Sequence, residues 1–255
     1  MQLEGILNRL RLIKIALLKR GSGMWESVGD LWCPRGRFYD VRGNVESFAF
    51  ARAILGRDAV PPEPEFANRL GPSSLFTPEG YPAFYNSEPS VSSFLGQLVA
   101  FKKPSVVVEL GCFVGFTSAH LAVGLKRNQS GHLYCVDIGE KEAEIARSNM
   151  KRLGLADRVT VLVGGSLDQK ITAALPDRID ILFIDTSHLY PDTLHEIRFY
   201  AQRVFPGGCI ALHDSTSFPG VRRSIEEILP EFRVHTFATD AGNGLTILID
   251  PGDIR

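Results

Sequence analysis

From residue 90 onward, short apolar runs alternate with polar–apolar stretches of helical length. The apolar runs are hydrophobic on both faces, which is typical of strands buried between two layers of helices. Five such strands are predicted, at residues 105–110, 132–137, 158–163, 180–185 and 208–213. Helices are predicted at residues 90–102, 116–127, 140–153, 166–174, 191–204 and 219–229. This alternation predicts a doubly wound α/β fold around a mostly parallel sheet.

The C-terminal end breaks this alternation. Residues 231–250, EFRVHTFATDAGNGLTILID, contain two strand-like runs separated by the DAGNG turn, without a helix between them. Two consecutive strands joined by such a turn form an antiparallel hairpin. Together with the five parallel strands, this predicts a seven-stranded sheet that ends in an antiparallel hairpin.

The first 87 residues differ in character from the domain predicted over residues 88–255. Residues 1–20 have the pattern of a basic amphipathic helix, which we expect to pack on protein or on a second subunit, with peripheral contact to a membrane surface as the alternative. Charged residues interrupt its apolar positions throughout, so it fits neither a transmembrane helix nor a secretory signal. A further helix is predicted near 44–56. The aromatic-rich remainder is expected to form a lid or an oligomer contact.

Charge and cysteine content narrow the function classes. The 28 basic and 29 acidic residues give a net charge of −1, which does not favour nucleic-acid binding. The four cysteines form no CxxC pair, which argues against a zinc site and favours buried thiols in a reducing compartment. We therefore expect a cytoplasmic protein without a nucleic-acid partner.

The first predicted strand leads into the loop VVVELGCFVGFT, residues 106–117. In an open parallel sheet, ligands bind beyond the carboxyl ends of the strands. Gly111 would let the backbone turn sharply and approach a ligand closely, and Gly115 would open the next helix, whose free N–H groups form a polar rim. Glu109 would then lie at the edge of the pocket, where its carboxylate can accept hydrogen bonds from a ligand or from loop amides.

Asp137 ends the next predicted strand, 22 residues after Gly115. An acid at this position accepts the two hydroxyls of a ribose. The loop reads ExGxxxG and not GxGxxG, and Phe113 stands where a second glycine would let a diphosphate approach. This favours an adenosine ligand without phosphates, namely S-adenosylmethionine. An NAD enzyme is the disfavoured alternative, because of Phe113 and the terminal hairpin.

Residues 88–250 resemble class I S-adenosylmethionine-dependent methyltransferases. ELGCFVGFT is similar to the first motif of the catechol and caffeoyl-CoA O-methyltransferases. The resemblance implies that Asp137 holds the ribose and that Gly165, Ser166 and Leu167 surround the adenine. The remaining cofactor-binding residues that it implies are Glu109, Gly111, Phe113, Gly115, Thr117 and Asp185.

A second group of polar residues follows the fourth and fifth predicted strands. Asp185 ends the fourth strand, His188 comes three residues later, and the fifth strand ends in His213, Asp214 and Ser215. Carboxylate and hydroxyl oxygens are ligands that Mg²⁺ accepts, and a cation with a nearby neutral histidine can deprotonate a hydroxyl nucleophile. The alternative is that each aspartate only caps its turn. Strand alternation predicts that His213 points away from this group.

The same segments, IDTSHLYPDT and PGGCIALHDS, resemble the metal-dependent small-molecule O-methyltransferases, including those that modify macrolide sugars. That resemblance implies that Asp185 and Asp214 bind Mg²⁺ and that His188 is the general base, with Asp185 also counted as catalytic. Ser215 stands where catechol-type enzymes carry an amide residue, which makes it the candidate third ligand.

These observations predict an S-adenosylmethionine-dependent O-methyltransferase that acts on a small hydroxylated natural product or sugar with the help of Mg²⁺. A homo-oligomer, in the simplest case a dimer, is expected from the N-terminal helix. Two alternatives stay open: a metal-independent N- or carboxyl-methyltransferase, and a non-methylating relative with the same fold.

Overall fold

The computed structural model describes residues 37–40, 70–81, 85–239 and 241–249. Its strands are β1 (Arg37–Asp40), β2 (Val106–Leu110), β3 (His132–Asp137), β4 (Val159–Val163), β5 (Ile179–Ile184), β6 (Val204–His213), β7 (Arg233–Ala238) and β8 (Leu245–Ile249). Its α-helices are α1 (Pro89–Lys102), α2 (Phe116–Asn128), α3 (Glu140–Arg152), α4 (Gln169–Ala174), α5 (Tyr190–Ala201) and α6 (Pro219–Ile228).

All the described strands belong to one sheet, in the order β1-β7-β8-β6-β5-β2-β3-β4. Strands β2 to β6 run parallel, and β8 is antiparallel to both β6 and β7. The predicted seven strands and the terminal hairpin are thus confirmed. The sequence did not predict β1, a four-residue strand parallel to β7. Such a short strand in a Gly- and Pro-rich segment gives too little periodicity to detect.

The strand order reverses at β2, which lies between β3 and β5. The chain leaves β2 toward one side to form β3 and β4 and later returns to the other side to form β5 and β6. This reversal creates a crevice beyond the carboxyl end of β2, where open α/β sheets bind ligands.

The core lies on both faces of the central strands. Val107 and Val108 of β2, and Ile181 and Leu182 of β5, are fully buried although consecutive strand residues point to opposite faces, as expected for strands covered by helices on both sides. Helices α1 and α2 pack closely. A Cβ on Gly124 of α2 would lie only 2.5 Å from the carbonyl oxygen of Gly96 of α1. The absence of a side chain at Gly124 therefore permits this position of α2 against α1, and the first turn of α2 begins at the crevice.

Three element boundaries differ from the sequence prediction by three or more residues, and the first is the start of α4 at Gln169, where residue 166 was predicted. Helix α5 ends at Ala201, three residues earlier than predicted, because the chain enters β6 at Val204. The PGG segment at residues 206–208, which leads into the predicted strand, lies within β6. The register between β5 and β6 shifts at this segment, and Gly207 adopts a φ of 85°. The segment is therefore an irregularity within a longer strand.

The predicted helices at 1–20 and 44–56 lie outside the described residues, so they stay predictions. The part of the N-terminal segment that is described packs against the domain. Phe76 is buried edge-on against Phe116 with ring centroids 5.1 Å apart, and Asn149 donates a 3.0 Å hydrogen bond to its carbonyl oxygen. Across the described ranges, we find no helix of the length and apolar character needed to cross a bilayer.

Candidate active site

Gly111 is the first residue after β2, and the backbone that follows β5 leaves no room for a side chain at this position. It has a φ of 85°, and a Cβ there would lie 2.0 Å from the carbonyl oxygen of Asp185, just past β5. Its N–H donates to the carbonyl oxygen of Val136 at 2.8 Å. The start of the loop is therefore fixed between β3 and β5, and its backbone lies directly against the Asp185 backbone.

Gly115 ends the loop and is the N-cap of α2, with a φ of 83°. A Cβ there would lie 3.2 Å from the side chains of Ala146 and Met150, so this glycine also permits close packing against α3. Thr117, the second residue of α2, is buried and its hydroxyl lies 2.9 Å from that of Ser92 in α1. The first turn of α2 is thus held from two sides.

Asp137, at the end of β3, holds the middle of the loop. Its Oδ2 accepts a 2.7 Å hydrogen bond from the N–H of Phe113, and its Oδ1 accepts a 2.8 Å hydrogen bond from the N–H of Gly139. Burial raises the pKa of the Asp137 carboxyl, although these backbone hydrogen bonds oppose the rise. Each oxygen retains a lone pair that a ligand hydroxyl can use.

Glu109 lines the pocket at the carboxyl edge of the sheet and is deeply buried. Its Oε2 accepts hydrogen bonds from the hydroxyl of Ser118 and, at 3.3 Å, from the thiol of Cys135. Burial raises the pKa of the Glu109 carboxyl to about 8, so it is mostly protonated at neutral pH. The donors to its carboxyl group are side chains of α2 and β3, and not the ligand or loop amides that the sequence predicts.

The residues predicted around adenine follow β4, beside the crevice. Leu167 is 40% exposed, and the hydroxyl of Ser166 donates to the carboxylate of Glu196 in α5. The same carboxylate accepts a 2.6 Å hydrogen bond from Thr186, next to Asp185. Glu196 thus connects the two strand ends. The sequence did not single it out, because it reads as one more polar residue of α5.

One pocket at the carboxyl edge of the sheet contains seven of the predicted site residues. They are Glu109, Gly111, Phe113, Thr117, Asp137, Asp185 and His188. Tyr85, from the segment before α1, also lines the pocket, with its ring 5.9 Å from that of Phe113. Gly115, Gly165, Ser166, Leu167, Asp214 and Ser215 are not among its lining residues in the described part of the chain.

The structure brings the two predicted aspartates and the predicted base together. Asp185, His188 and Asp214 each offer a ligand atom within 4.8 Å of the other two. Nε2 of His188 lies 3.1 Å from Oδ1 of Asp185 and 2.9 Å from Oδ2 of Asp214. The His188 ring stacks on Phe218 with centroids 4.5 Å apart. Two carboxylates and an imidazole at these distances are a donor set that fits a divalent cation.

His213 faces this cluster, contrary to the prediction from strand alternation. Its Nδ1 lies 3.4 Å from Oδ2 of Asp185, and its Nε2 lies 2.5 Å from Oε2 of Glu88. Because β6 ends at His213 and Asp214 adopts a left-handed φ of 57°, the side chains of these two consecutive residues do not alternate and both face the cluster. Glu88 precedes α1 and also accepts a 2.7 Å hydrogen bond from Thr239. Its sequence position suggested only a helix start.

Ser215 is fully buried, and its hydroxyl makes no hydrogen bond to any part of the chain that the structure describes. Other hydroxyls bind the aspartates. Ser87 donates to Oδ2 of Asp185 at 2.8 Å, and Ser217 donates to Oδ1 of Asp214 at 3.2 Å. The geometry thus gives no hydrogen bond between the Ser215 hydroxyl and the aspartates.

The charged groups of the cluster shift one another's pKa values. Burial disfavours the ionised form of Asp185, but the charge of His213 and a hydrogen bond from His188 outweigh it and hold the pKa of this carboxyl below its usual range. Burial also disfavours the charged form of His188, but hydrogen bonds to Asp185 and Asp214 raise its pKa to about 9. Without added positive charge, His188 is therefore protonated at neutral pH.

Comparison with known proteins agrees with this geometry. A family model described as a methyltransferase domain matches residues 108–215. A catechol O-methyltransferase of Mycobacterium tuberculosis is 40% identical over 79 residues, which cover 31% of this chain and 34% of that protein. A catechol O-methyltransferase of Sus scrofa is 34% identical over 102 residues, which cover 38% of this chain and 54% of that protein. The chain thus spans about a third and about half of the length of these two relatives.

A solved structure shows the same fold. The O-methyltransferase from Bacillus cereus, in complex with S-adenosylhomocysteine, superposes with a TM-score of 0.58 at 22% identity, covering 80% of this chain and 96% of that one. The predicted resemblance to class I S-adenosylmethionine-dependent methyltransferases of the catechol and caffeoyl-CoA type is confirmed, and residues 108–215 are the part of the chain that matches the methyltransferase-domain model. The likeness to macrolide-sugar enzymes stays a prediction.

Proposed function

We propose that the protein is an S-adenosylmethionine-dependent O-methyltransferase whose acceptor is a small hydroxylated natural product or sugar. The observation that carries this proposal is the shared pocket, in which the glycine loop and Asp137 lie beside Asp185 and His188. A cofactor seated against Asp137 would present its methyl group toward the aspartate cluster, where an acceptor hydroxyl can be held in line with it. The named relatives support methyl transfer to oxygen.

Four of the predicted cofactor residues contact different parts of the cofactor in this proposal. Asp137 accepts the ribose hydroxyls while it holds the loop through Phe113. Glu109 and Thr117 lie near the methionine part, and their buried positions keep that end of the pocket dry. Leu167 offers an apolar surface to the adenine.

His188 is the proposed general base, and Asp185 and Asp214 would hold a divalent cation, for which the sequence suggests Mg²⁺. The cation would supply positive charge that polarises the acceptor oxygen and offsets the two carboxylates. His188, no longer facing two uncompensated carboxylates, can then take the hydroxyl proton. The stack on Phe218 fixes the plane of its imidazole ring. The predicted cytoplasmic location and dimer belong to the same proposal and rest on cysteine usage and on residues 1–20.

The first test is calorimetric binding of S-adenosylhomocysteine to the purified protein, with Mg²⁺ and with EDTA, in wild type and in Asp137→Ala. We expect micromolar-range binding by wild type and at least tenfold weaker binding by the variant. Asp177→Ala is the matched control, because Asp177 is exposed in the turn before β5.

Absence of binding by wild type under both conditions would refute the methyltransferase proposal. Formation of S-adenosylhomocysteine from S-adenosylmethionine and catechol is the second readout. Activity that survives EDTA at full rate would instead favour the metal-independent alternative.

A further inference from the structure

The cluster contains a buried nitrogen that the proposed mechanism does not use. His213 is 4% exposed, and its Nδ1 makes no hydrogen bond to any residue that the structure describes. This atom lies 3.4 Å from Oδ2 of Asp185 and 3.6 Å from Oδ2 of Asp214. A buried imidazole nitrogen without a hydrogen bond costs free energy unless something else occupies the space in front of it.

The other ring nitrogen shows how the imidazole is held. Nε2 of His213 lies 2.5 Å from Oε2 of Glu88, and the other carboxylate oxygen of Glu88 accepts a 2.7 Å hydrogen bond from Thr239. Glu88 itself is 8% exposed. Because the Glu88 carboxylate holds the proton on Nε2, Nδ1 is the nitrogen that would give up its proton to a bound cation and offer it a lone pair, facing the two aspartates.

This arrangement is the one that metal-ligating histidines adopt, in which the second ring nitrogen donates to a carboxylate that orients the ring and raises its basicity. Two ligand atoms on one cation, each about 2.1 Å from it, lie roughly 3 to 3.5 Å apart. The separations from Nδ1 to the two aspartates are near this spacing. They are longer than the about 2.8 Å of a charge-assisted hydrogen bond from a protonated ring.

We propose that Nδ1 of His213 is a metal ligand beside Asp185 and Asp214, that Glu88 positions its ring, and that this mixed nitrogen–oxygen site selects a first-row transition-metal ion over Mg²⁺. Mg²⁺ prefers oxygen ligands, whereas imidazole suits transition metals. This inference rests on the proposed function for the presence of a cation and refines the expectation of Mg²⁺.

His188 is the competing nitrogen, and two features separate its role from that of His213. Its side chain is 22% exposed, against 5% for His213, and it lines the pocket that would receive the acceptor. No carboxylate fixes its second ring nitrogen among the described contacts; its ring is held by stacking on Phe218. We therefore assign proton exchange with the acceptor to His188 and metal ligation to His213, whose ring is held by Glu88.

The test uses Mn²⁺ as the probe and Mg²⁺ as the competitor on the full-length protein. We expect Mn²⁺ to bind at least tenfold more tightly than Mg²⁺, and pulsed electron paramagnetic resonance of bound Mn²⁺ to show coupling to an imidazole nitrogen. In His213→Asp the coupling should vanish and the Mn²⁺ to Mg²⁺ affinity ratio should fall at least tenfold. Glu88→Gln should weaken Mn²⁺ binding about 10- to 100-fold while the coupling persists, as for other residues that orient a ligand.

Two histidine variants serve as controls. His188→Ala and His195→Ala, the latter exposed on α5, should both retain the nitrogen coupling. The inference is overturned if wild type binds no Mn²⁺, if bound Mn²⁺ shows no nitrogen coupling, or if His188→Ala removes the coupling. Since the wild-type and His188→Ala spectra do not depend on the folding of His213→Asp, the outcome is decided even if that variant fails to fold.

Binding of S-adenosylhomocysteine, measured separately by calorimetry, distinguishes the two proposals. A protein that coordinates Mn²⁺ through nitrogen but binds no S-adenosylhomocysteine supports the metal site and refutes the proposed function. A protein that binds S-adenosylhomocysteine but shows no nitrogen coupling refutes the metal ligand alone.

Discussion

The N–H of Phe113 donates a 2.7 Å hydrogen bond to Oδ2 of Asp137. Phe113 has a φ of 47°, a left-handed conformation that costs an L-residue about 1–2 kcal/mol. The hydrogen bond to a carboxylate helps to offset that cost. Asp137 therefore shapes the glycine loop in the free protein, in addition to any contact that it makes with a ligand.

This relationship predicts that Asp137→Asn destabilises the free protein. The amide group of asparagine has one acceptor oxygen, so either Phe113 or Gly139 would lose the acceptor of its backbone N–H. We expect a loss of about 1–2 kcal/mol in the free energy of unfolding, measured with urea at pH 7 without ligand. Asp177→Asn, at an exposed site, should change it by less than about 0.5 kcal/mol. Equal stability of Asp137→Asn and wild type would contradict the shaping role.

The proposed base gives a second prediction, on catalysis. His188→Ala should lower kcat for S-adenosylhomocysteine formation with catechol by at least about 100-fold, because general base catalysis contributes roughly 10²–10⁴-fold. The dissociation constant of S-adenosylhomocysteine should change little, since Asp137 and the loop are untouched. His195→Ala is the matched control and should keep full activity. A fully active His188→Ala enzyme would show that the base is another group.

Much of the fold could be predicted because each central strand is a short apolar run followed by a helix. Val107 and Val108 are consecutive residues of β2 that point to opposite faces of the sheet, and both are fully buried, which is what the uninterrupted apolar pattern indicates. The ends of β2, β3 and β5 then locate Gly111, Asp137 and Asp185 at one edge of the sheet.

Glu88 and His213 could not be predicted in the same way. The two residues are 125 positions apart, and no periodic pattern links them. That His213 and Asp214 face the same cluster depends on the left-handed backbone of Asp214, a conformation that a non-glycine residue rarely adopts and that the sequence pattern does not predict. Partners that meet across the strand ends depend on tertiary packing, which local pattern does not determine.

The buried carboxyl of Glu109 predicts an unusual pH dependence of stability. Its pKa is about 8 in the folded protein and about 4.5 in the unfolded chain. Between these two pKa values, Glu109 is ionised in the unfolded chain but still protonated in the folded protein. The stability that the folded protein has below pH 4.5 is therefore lost progressively as the pH rises toward 8. The slope approaches about 1.4 kcal/mol per pH unit.

Glu109→Gln removes this titration while keeping an oxygen that can accept from Ser118. The variant should gain stability relative to wild type by a few kcal/mol between pH 5 and about pH 8, measured by urea unfolding across that range. Glu144→Gln, at an exposed position on α3, should leave the pH dependence of wild type unchanged. A difference between Glu109→Gln and wild type that is constant with pH would mean that Glu109 is ionised in the folded protein.

Gly111 and Gly80 form a matched pair that separates backbone strain from steric clash. Their φ angles are 85° and 86°, so alanine at either position adopts the same unfavourable left-handed conformation. A Cβ at Gly111 would lie 2.0 Å from the carbonyl oxygen and 2.7 Å from the carbonyl carbon of Asp185, whereas no described atom lies within 4 Å of a Cβ at Gly80. The atoms at Gly111 belong to the backbone, so relief requires the ends of β2 and β5 to separate.

We therefore expect Gly80→Ala to cost about 1–2 kcal/mol of unfolding free energy, the strain alone. Gly111→Ala should cost at least about 3 kcal/mol more, measured by thermal and urea unfolding, because overpacking against backbone adds to the strain. Since the displaced carbonyl belongs to Asp185, Gly111→Ala should also weaken S-adenosylhomocysteine and Mn²⁺ binding, whereas Gly80→Ala should alter neither. If the two variants are equally stable, the close approach of the loop to Asp185 is not maintained in solution, and the pocket between β2 and β5 is wider than the structure shows.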